Sequence, residues 1–179
     1  MRRVTLYIAQ SLDGIIADAD GGVDWLPHPP EGEDLGYGAF WQTVDALAMG
    51  RATYDQIRGW GAWPYESRPT VVFSSRPPDD DPPAGVRFAS GDVAAALDTL
   101  PPEAHVWCVG GAELAARFLA AGALDAVHLF IVPVLLGGGV RLWREGLPRT
   151  ALRLDWTREH AGGVEMRYAV IRAPEASGG

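Results

Sequence analysis

Val106-Trp107-Cys108-Val109 carries no charged side chain, runs straight into Gly110-Gly111, and is followed at once by a helical stretch from Ala112 to Ala121. A short, uninterrupted apolar run of this kind reads as a strand buried on both faces, which belongs in a parallel sheet with helices packed on either side. Two glycines at the end of such a strand let the backbone turn directly into the helix and leave room for a close neighbour. A chain of 179 residues with 47% hydrophobic and 21% charged side chains can bury that kind of core within one domain.

The rest of the chain repeats the alternation. Val4 to Ala9 reads as a first strand buried on both faces, Asp13-Gly14 as a turn, and Ile15-Ile16-Ala17 as a resumption. Gly21 to Gly38, with Pro27, Pro29 and Pro30 and several acids, reads as a long surface loop of the functional kind. Phe40, Trp41, Val44, Leu47 and Ala48 recur at helical spacing and predict a helix running into Met49-Gly50. A short helix over Ala52 to Ile57, a buried strand over Thr70 to Ser74 and a short strand over Gly85 to Phe88 follow. Asp92 is placed to cap a helix reaching Leu100, and Gly122 to close the helix that begins at Ala112. Val127 to Leu136 reads as another buried strand, and Leu152 to Trp156 with Met166 to Ile171 as a closing hairpin. The expected fold is α/β in three layers, a mostly parallel central sheet with an antiparallel C-terminal edge, in one domain over residues 1–173. Pro174 to Gly179 reads as a flexible tail.

Composition narrows the chemistry. Fifteen Lys and Arg against 23 Asp and Glu leave a net charge of −8, which opposes binding to nucleic acid or to an anionic membrane. A single cysteine, Cys108, cannot form an intrachain disulfide, so the cytoplasm is the expected compartment and a buried, inert thiol its expected state. His28, His105, His128 and His160 lack metal-ligand spacing, and Ser74 and Ser75 lack a nucleophile-elbow sequence. Asp79-Asp80-Asp81-Pro82-Pro83 reads as a solvated acidic turn.

Three turns suit an anion. Gly110-Gly111 opens a helix whose free amides carry partial positive charge. Gly50 precedes a helix start bearing Arg51 and the hydroxyl of Thr53, and Arg76 follows the strand ending at Ser74-Ser75. Together they point to a dinucleotide, although the GxGxxG fingerprint is absent.

Four segments in order carry a resemblance: Ala9-Gln10-Ser11-Leu12-Asp13-Gly14-Ile15-Ile16-Ala17, Met49-Gly50-Arg51-Ala52-Thr53-Tyr54, Val72-Phe73-Ser74-Ser75-Arg76 and Val109-Gly110-Gly111-Ala112-Glu113-Leu114. The chain resembles the dihydrofolate-reductase superfamily, and within it the branch of the C-terminal reductase domain of the bifunctional riboflavin-biosynthesis deaminase-reductase. The resemblance runs from Val4 to about Val170 and implies an NADPH-dependent, homodimeric reductase acting on a small-molecule substrate. It implies that the nicotinamide lies near Ala9 and Ile16, that Gly50, Arg51 and Thr53 hold phosphates, and that Ser74, Ser75 and Arg76 meet the adenosine end. It assigns Val109, Gly110, Gly111, Ala112, Glu113 and Leu114 to the pyrophosphate loop.

At the acceptor end the chain departs from the riboflavin reductases. Val109 stands where they carry Glu, and Asp55-Gln56-Ile57 follows Thr53 where they carry Asp-Asp-Pro. Against folate reductases, Asp34 precedes Gly50 by the family's separation of its acidic residue, Trp25 and Arg68 fall near pocket positions, and Phe130 replaces a Thr that contacts the pterin. Asp34, Asp13 and Trp25 are therefore the candidate catalytic residues: an acid as proton donor, and Trp25 packed over the nicotinamide side of a pocket walled by the Gly21 to Gly38 loop. The implied reaction passes hydride to a C=N or C=O of a small heterocycle. The alternatives are a true dihydrofolate reductase and a dimeric nucleotide-binding protein without turnover.

Overall fold

The computed structural model describes residues 2–29, 33–65 and 68–172. In chain order the elements are β1 (Arg3–Ser11), β2 (Ile15–Ala17), α1 (Tyr37–Trp41), β3 (Ala46–Gly50), α2 (Arg51–Gly59), β4 (Thr70–Phe73), β5 (Val86–Ala89), α3 (Val93–Leu97), β6 (His105–Gly110), α4 (Ala112–Ala120), β7 (Ala126–Val132), β8 (Val140–Arg141), β9 (Ala151–His160) and β10 (Gly163–Ile171). Eight strands form one sheet in the order β5-β4-β3-β6-β1-β7-β10-β9. The pairs from β5 to β7 are parallel, and β7-β10-β9 is the antiparallel edge. The fold is thus the expected α/β class. The terminal residues expected to form a tail, and residues 30–32 of the long loop, lie outside the described residues.

Alternation along each strand sorts the core into two layers. Val4 and Leu6 of β1, Ala46 and Ala48 of β3, and Val106 and Cys108 of β6 face α3 and α4, with Leu114, Ala115 and Phe118 packed on them. Leu47 and Met49 of β3, Val72 of β4 and Trp107 of β6 face α1 and α2, meeting Phe40, Tyr54 and Ile57. Cys108 has no exposed surface, and burial pushes its thiol up to about 12, so it stays protonated and inert.

One sequence expectation fails. The helix expected from Phe40 to Met49 is only the single turn of α1, and Ala46 to Met49 is a central strand. Ala46, Leu47, Ala48 and Met49 are all 0% exposed, and a strand buried on both faces shows the same unbroken apolar run as a buried helix. Three smaller differences concern length, the first being that α3 stops at Leu97 rather than Leu100. β7 stops at Val132 rather than Leu136, and the C-terminal hairpin is longer than expected, nine or more residues in each strand.

Candidate functional site

β1, β3, β4 and β6 run parallel, so their carboxyl ends open on one edge of the sheet. From the neighbours β3 and β6, the following helices depart to opposite faces: α2 joins the layer of Phe40 and Trp107, α4 the layer of Cys108 and Val106. Neighbouring strands whose helices diverge leave a crevice at their carboxyl ends, the usual place for a ligand in an open α/β sheet. A cleft of about 1550 Å³ occupies that position.

The amino ends of α2 and α4 both open on it. Gly50 and Gly111 are their N-cap residues and neither supplies a side-chain cap, whereas Asp92 caps α3 by accepting the amide of Ala95 at 2.8 Å. The two helix starts are also close. A Cβ placed on Gly50 would sit 3.7 Å from the amide of Gly111, and one on Gly111 would sit 3.8 Å from Oγ1 of Thr53. Gly110 has φ +121° and joins Gly111 through a cis peptide; a Cβ there would be strained and 3.1 Å from Cδ1 of Ile8. Two uncapped helix termini and a hydroxyl facing one space fit a pyrophosphate, because every orphan amide there is a donor with partial positive charge.

Of the residues assigned to the cofactor by resemblance, Ala9, Ile16, Gly50, Arg51, Thr53, Ser74, Ser75, Arg76, Val109, Gly111, Ala112, Glu113 and Leu114 all line this cleft. Gly110 is buried directly behind them.

The three candidate catalytic residues do not line it. Asp34 is exposed and accepts the amides of Gly36 (3.0 Å) and Gly38 (2.7 Å), which fixes the entry to α1. Asp13 accepts the Ser11 hydroxyl at 2.5 Å and the amides of Leu136 and Gly137, tying the turn after β1 to the loop after β7. The Ser11 bond, and then the Gly137 amide, hold its carboxyl down at about 2, so Asp13 is ionised at any ordinary pH. Trp25 sits between two lining residues, Val23 and Leu26, with its indole N–H buried and unpartnered among the described residues. Phe130 is buried beside the ring of His160, and the Arg68 guanidinium lies over the Trp41 ring.

Part of the cleft wall is instead aromatic. Tyr7, Tyr37, Tyr65, Trp60 and Trp107 line the cleft with Ile57 and Val109. Trp107 donates its indole N–H to the carbonyl of Tyr7 at 2.9 Å and is edged by Tyr7, Tyr37 and Tyr65. Tyr7 stacks on Phe40 with ring centroids 4.1 Å apart. Burial, and next the charge of Glu165, raise the Tyr7 phenol far above its ordinary value, and burial does the same for Tyr65. These phenols are neutral donors in a site that stacks flat rings. The tyrosines carry no sequence motif, since their convergence depends on β1, α1, β6 and the loop after α2 meeting in space.

Comparison with known proteins agrees with the fold. The RibD C-terminal domain family matches residues 2–166. A protein from Shewanella sp. PV-4, provisionally assigned to riboflavin biosynthesis, superposes with a TM-score of 0.81 at 30% identity, over 95% of this chain and 99% of that one. A diaminohydroxyphosphoribosylaminopyrimidine deaminase/5-amino-6-(5-phosphoribosylamino)uracil reductase from Thermotoga maritima superposes at 0.69 with 16% identity, over 95% of this chain and 57% of that one. Dihydrofolate reductase from Enterococcus faecalis, complexed with NADP(H), superposes at 0.64 with 19% identity, over 94% and 96%. The last two, at this identity, show that this chain shares their fold. This chain belongs to the RibD C-terminal domain family.

Proposed function

We propose that the protein is an NADPH-dependent reductase of the riboflavin-biosynthesis and dihydrofolate-reductase-like type, acting on a small, flat heterocycle. The observation that carries this reading is the pair of uncapped helix starts at Gly50 and Gly111, opening together on a cleft that is also lined by aromatic rings. The amides of α2 and α4, with Thr53, would hold the pyrophosphate; Ser74, Ser75 and Arg76 the adenosine end; and Ala9 and Ile16 the nicotinamide side. When bound, NADPH supplies a hydride. Tyr7, Tyr37, Tyr65 and Trp107 would orient an acceptor ring and exclude water from it, and fixing that geometry is where most of the rate arises in such sites. With Asp34 and Asp13 engaged elsewhere, a neutral phenol or water supplies the proton.

The same engagement of the two acids favours one alternative, a nucleotide-binding protein without turnover, over a true dihydrofolate reductase. Titration with NADPH while following tryptophan fluorescence tests the common part of both readings, and absence of quenching at millimolar cofactor sinks it. Oxidation of NADPH with any member of a panel of pterins, pyrimidine ribosides and quinone-like acceptors then selects the reductase.

A homodimer is part of the proposal. Edge strand β9 exposes Leu152 (44%) and Leu154 (52%) on one face, beside Val170 and Tyr168 of β10, an apolar strip suited to a second copy. Light scattering at micromolar concentration tests it, and a monomer mass rejects it. Among the described residues no helix is long and apolar enough to cross a membrane.

A further inference from the structure

Arg51 opens α2 on the wall of the cleft, yet every nitrogen of its guanidinium already donates within the protein. Nε reaches both carboxylate oxygens of Asp55 at 2.7 and 2.8 Å, Nη1 donates to the carbonyl of Pro77 at 2.9 Å, and Nη2 donates to Asp79. The side chain is 13% exposed, packed with its guanidinium 5.9 Å from the centre of the Phe88 ring. A five-donor fork with three of its N–H groups engaged in this way is a carboxylate or phosphate receptor that is already partly occupied.

The three occupants are not equivalent. Asp55 lies one turn along the same helix, and the Pro77 carbonyl is backbone, so both are tied to the frame. Asp79 comes from the acidic turn, its side chain 84% exposed. Pro77-Pro78 before that turn and Pro82-Pro83 after it restrict its backbone, which holds the carboxylate at the arginine without burying it. Asp80 pairs with Arg58 at 2.8 Å in the same manner. Arg51 is thus paired with Asp55 and Asp79 and Arg58 with Asp80, so these two arginines do not make a basic patch.

We propose that Asp79 is an internal occupant of the Arg51 anion site and sets how far the cleft distinguishes dinucleotides with a 2′-phosphate from those without one. The inference rests on the reductase reading above. A dianionic phosphate brought to Arg51 is repelled by the two carboxylates already there, and Asp79, exposed and outside the helix, is the one it displaces toward water. A ribose 2′-hydroxyl makes no such demand; it can donate to the Asp79 carboxylate and leave the ion pair in place. The acidic turn therefore holds down affinity for NADPH and leaves NADH untouched.

Calorimetric dissociation constants of NADPH and NADH for the full chain test this in wild type, Asp79→Asn and Asp81→Asn. Asp81 is not among the partners of Arg51, so its variant removes the same charge from the same turn without freeing the receptor. Asp79→Asn should tighten NADPH roughly three- to fivefold, the worth of one exposed ion pair, with NADH moving less than about twofold. Asp81→Asn should leave the ratio of the two constants unchanged. If both cofactors bind and the ratio is the same in all three proteins, or rises equally in both variants, Asp79 is not the discriminating group and the inference falls alone. If neither cofactor binds any of the three, the reductase reading falls and takes the inference with it.

Discussion

Nε2 of His128 lies 2.7 Å from Oε1 of Glu165, and both side chains are buried. Nε2 of His160 reaches the other carboxylate oxygen at 3.0 Å, and Arg158 approaches that oxygen at 3.6 Å. A carboxylate only accepts, so both imidazoles present an Nε2–H to it. This cluster ties β7, β9 and β10 together on the face that carries α1 and α2. Glu165→Ala should cost on the order of 3 kcal/mol, because it leaves buried donors without a partner. Urea unfolding measures it, and a loss below about 1 kcal/mol would mean that water replaces the carboxylate without penalty.

Acid should weaken the fold through two histidines. Burial lowers the imidazoles of His105 and His128, in His128 against the pull of Glu165. Each takes up a proton more readily when unfolded, so their contribution is complete above the ordinary imidazole value near 6.5 and is lost as pH falls below it. The melting temperature should therefore drop between about pH 7.5 and 5.5, with a shallower slope in His105→Gln. A wild-type melting temperature that is flat or rises on acidification contradicts this.

Gly50→Ala separates binding from folding. Its added Cβ meets only the backbone of Gly110 and Gly111 at 3.7 Å, an ordinary contact, at a φ of −77° that alanine adopts freely. The melting temperature should stay close to wild type while NADPH affinity falls about tenfold, because the methyl group stands in front of the α2 amides. Unchanged affinity would move the pyrophosphate away from this helix.

Arg76 is exposed on the cleft wall, where a 2′-phosphate can claim it without displacing a carboxylate. Arg76→Ala should weaken NADPH by about 1.5–3 kcal/mol and NADH by much less. Equal losses, read by fluorescence titration, would show that it does not read the phosphate.

Trp60 is 66% exposed and lines the cleft just past α2, so little of the fold rests on it. Trp60→Ala should raise the KM for an accepted heterocycle with the NADPH dissociation constant unchanged, since the ring would contact acceptor alone. A loss confined to NADPH affinity would place Trp60 at the cofactor instead.

What the sequence by itself determined about this protein is the set of groups that act through backbone position. Gly110 and Gly111 stand at a strand end where a turn into a helix is compulsory, and a buried parallel strand announces itself by an apolar run such as Val106 to Val109, so this wall of the cleft was legible from local pattern. The same local logic misread Ala46 to Met49, where burial on both faces erases the period that separates strand from helix. Side-chain roles at the acceptor end belonged to the tertiary structure. Asp34 was counted as an acid 16 residues before Gly50, but its carboxylate is taken by the amides of Gly36 and Gly38, and its neighbour Tyr37 faces the cleft. Asp79 read as a solvated acid until the fold brought it to Arg51, 28 residues away. A spacing in sequence fixes which backbone groups adjoin, whereas the partner of a charged or aromatic side chain is chosen by whatever the packed elements bring within its reach.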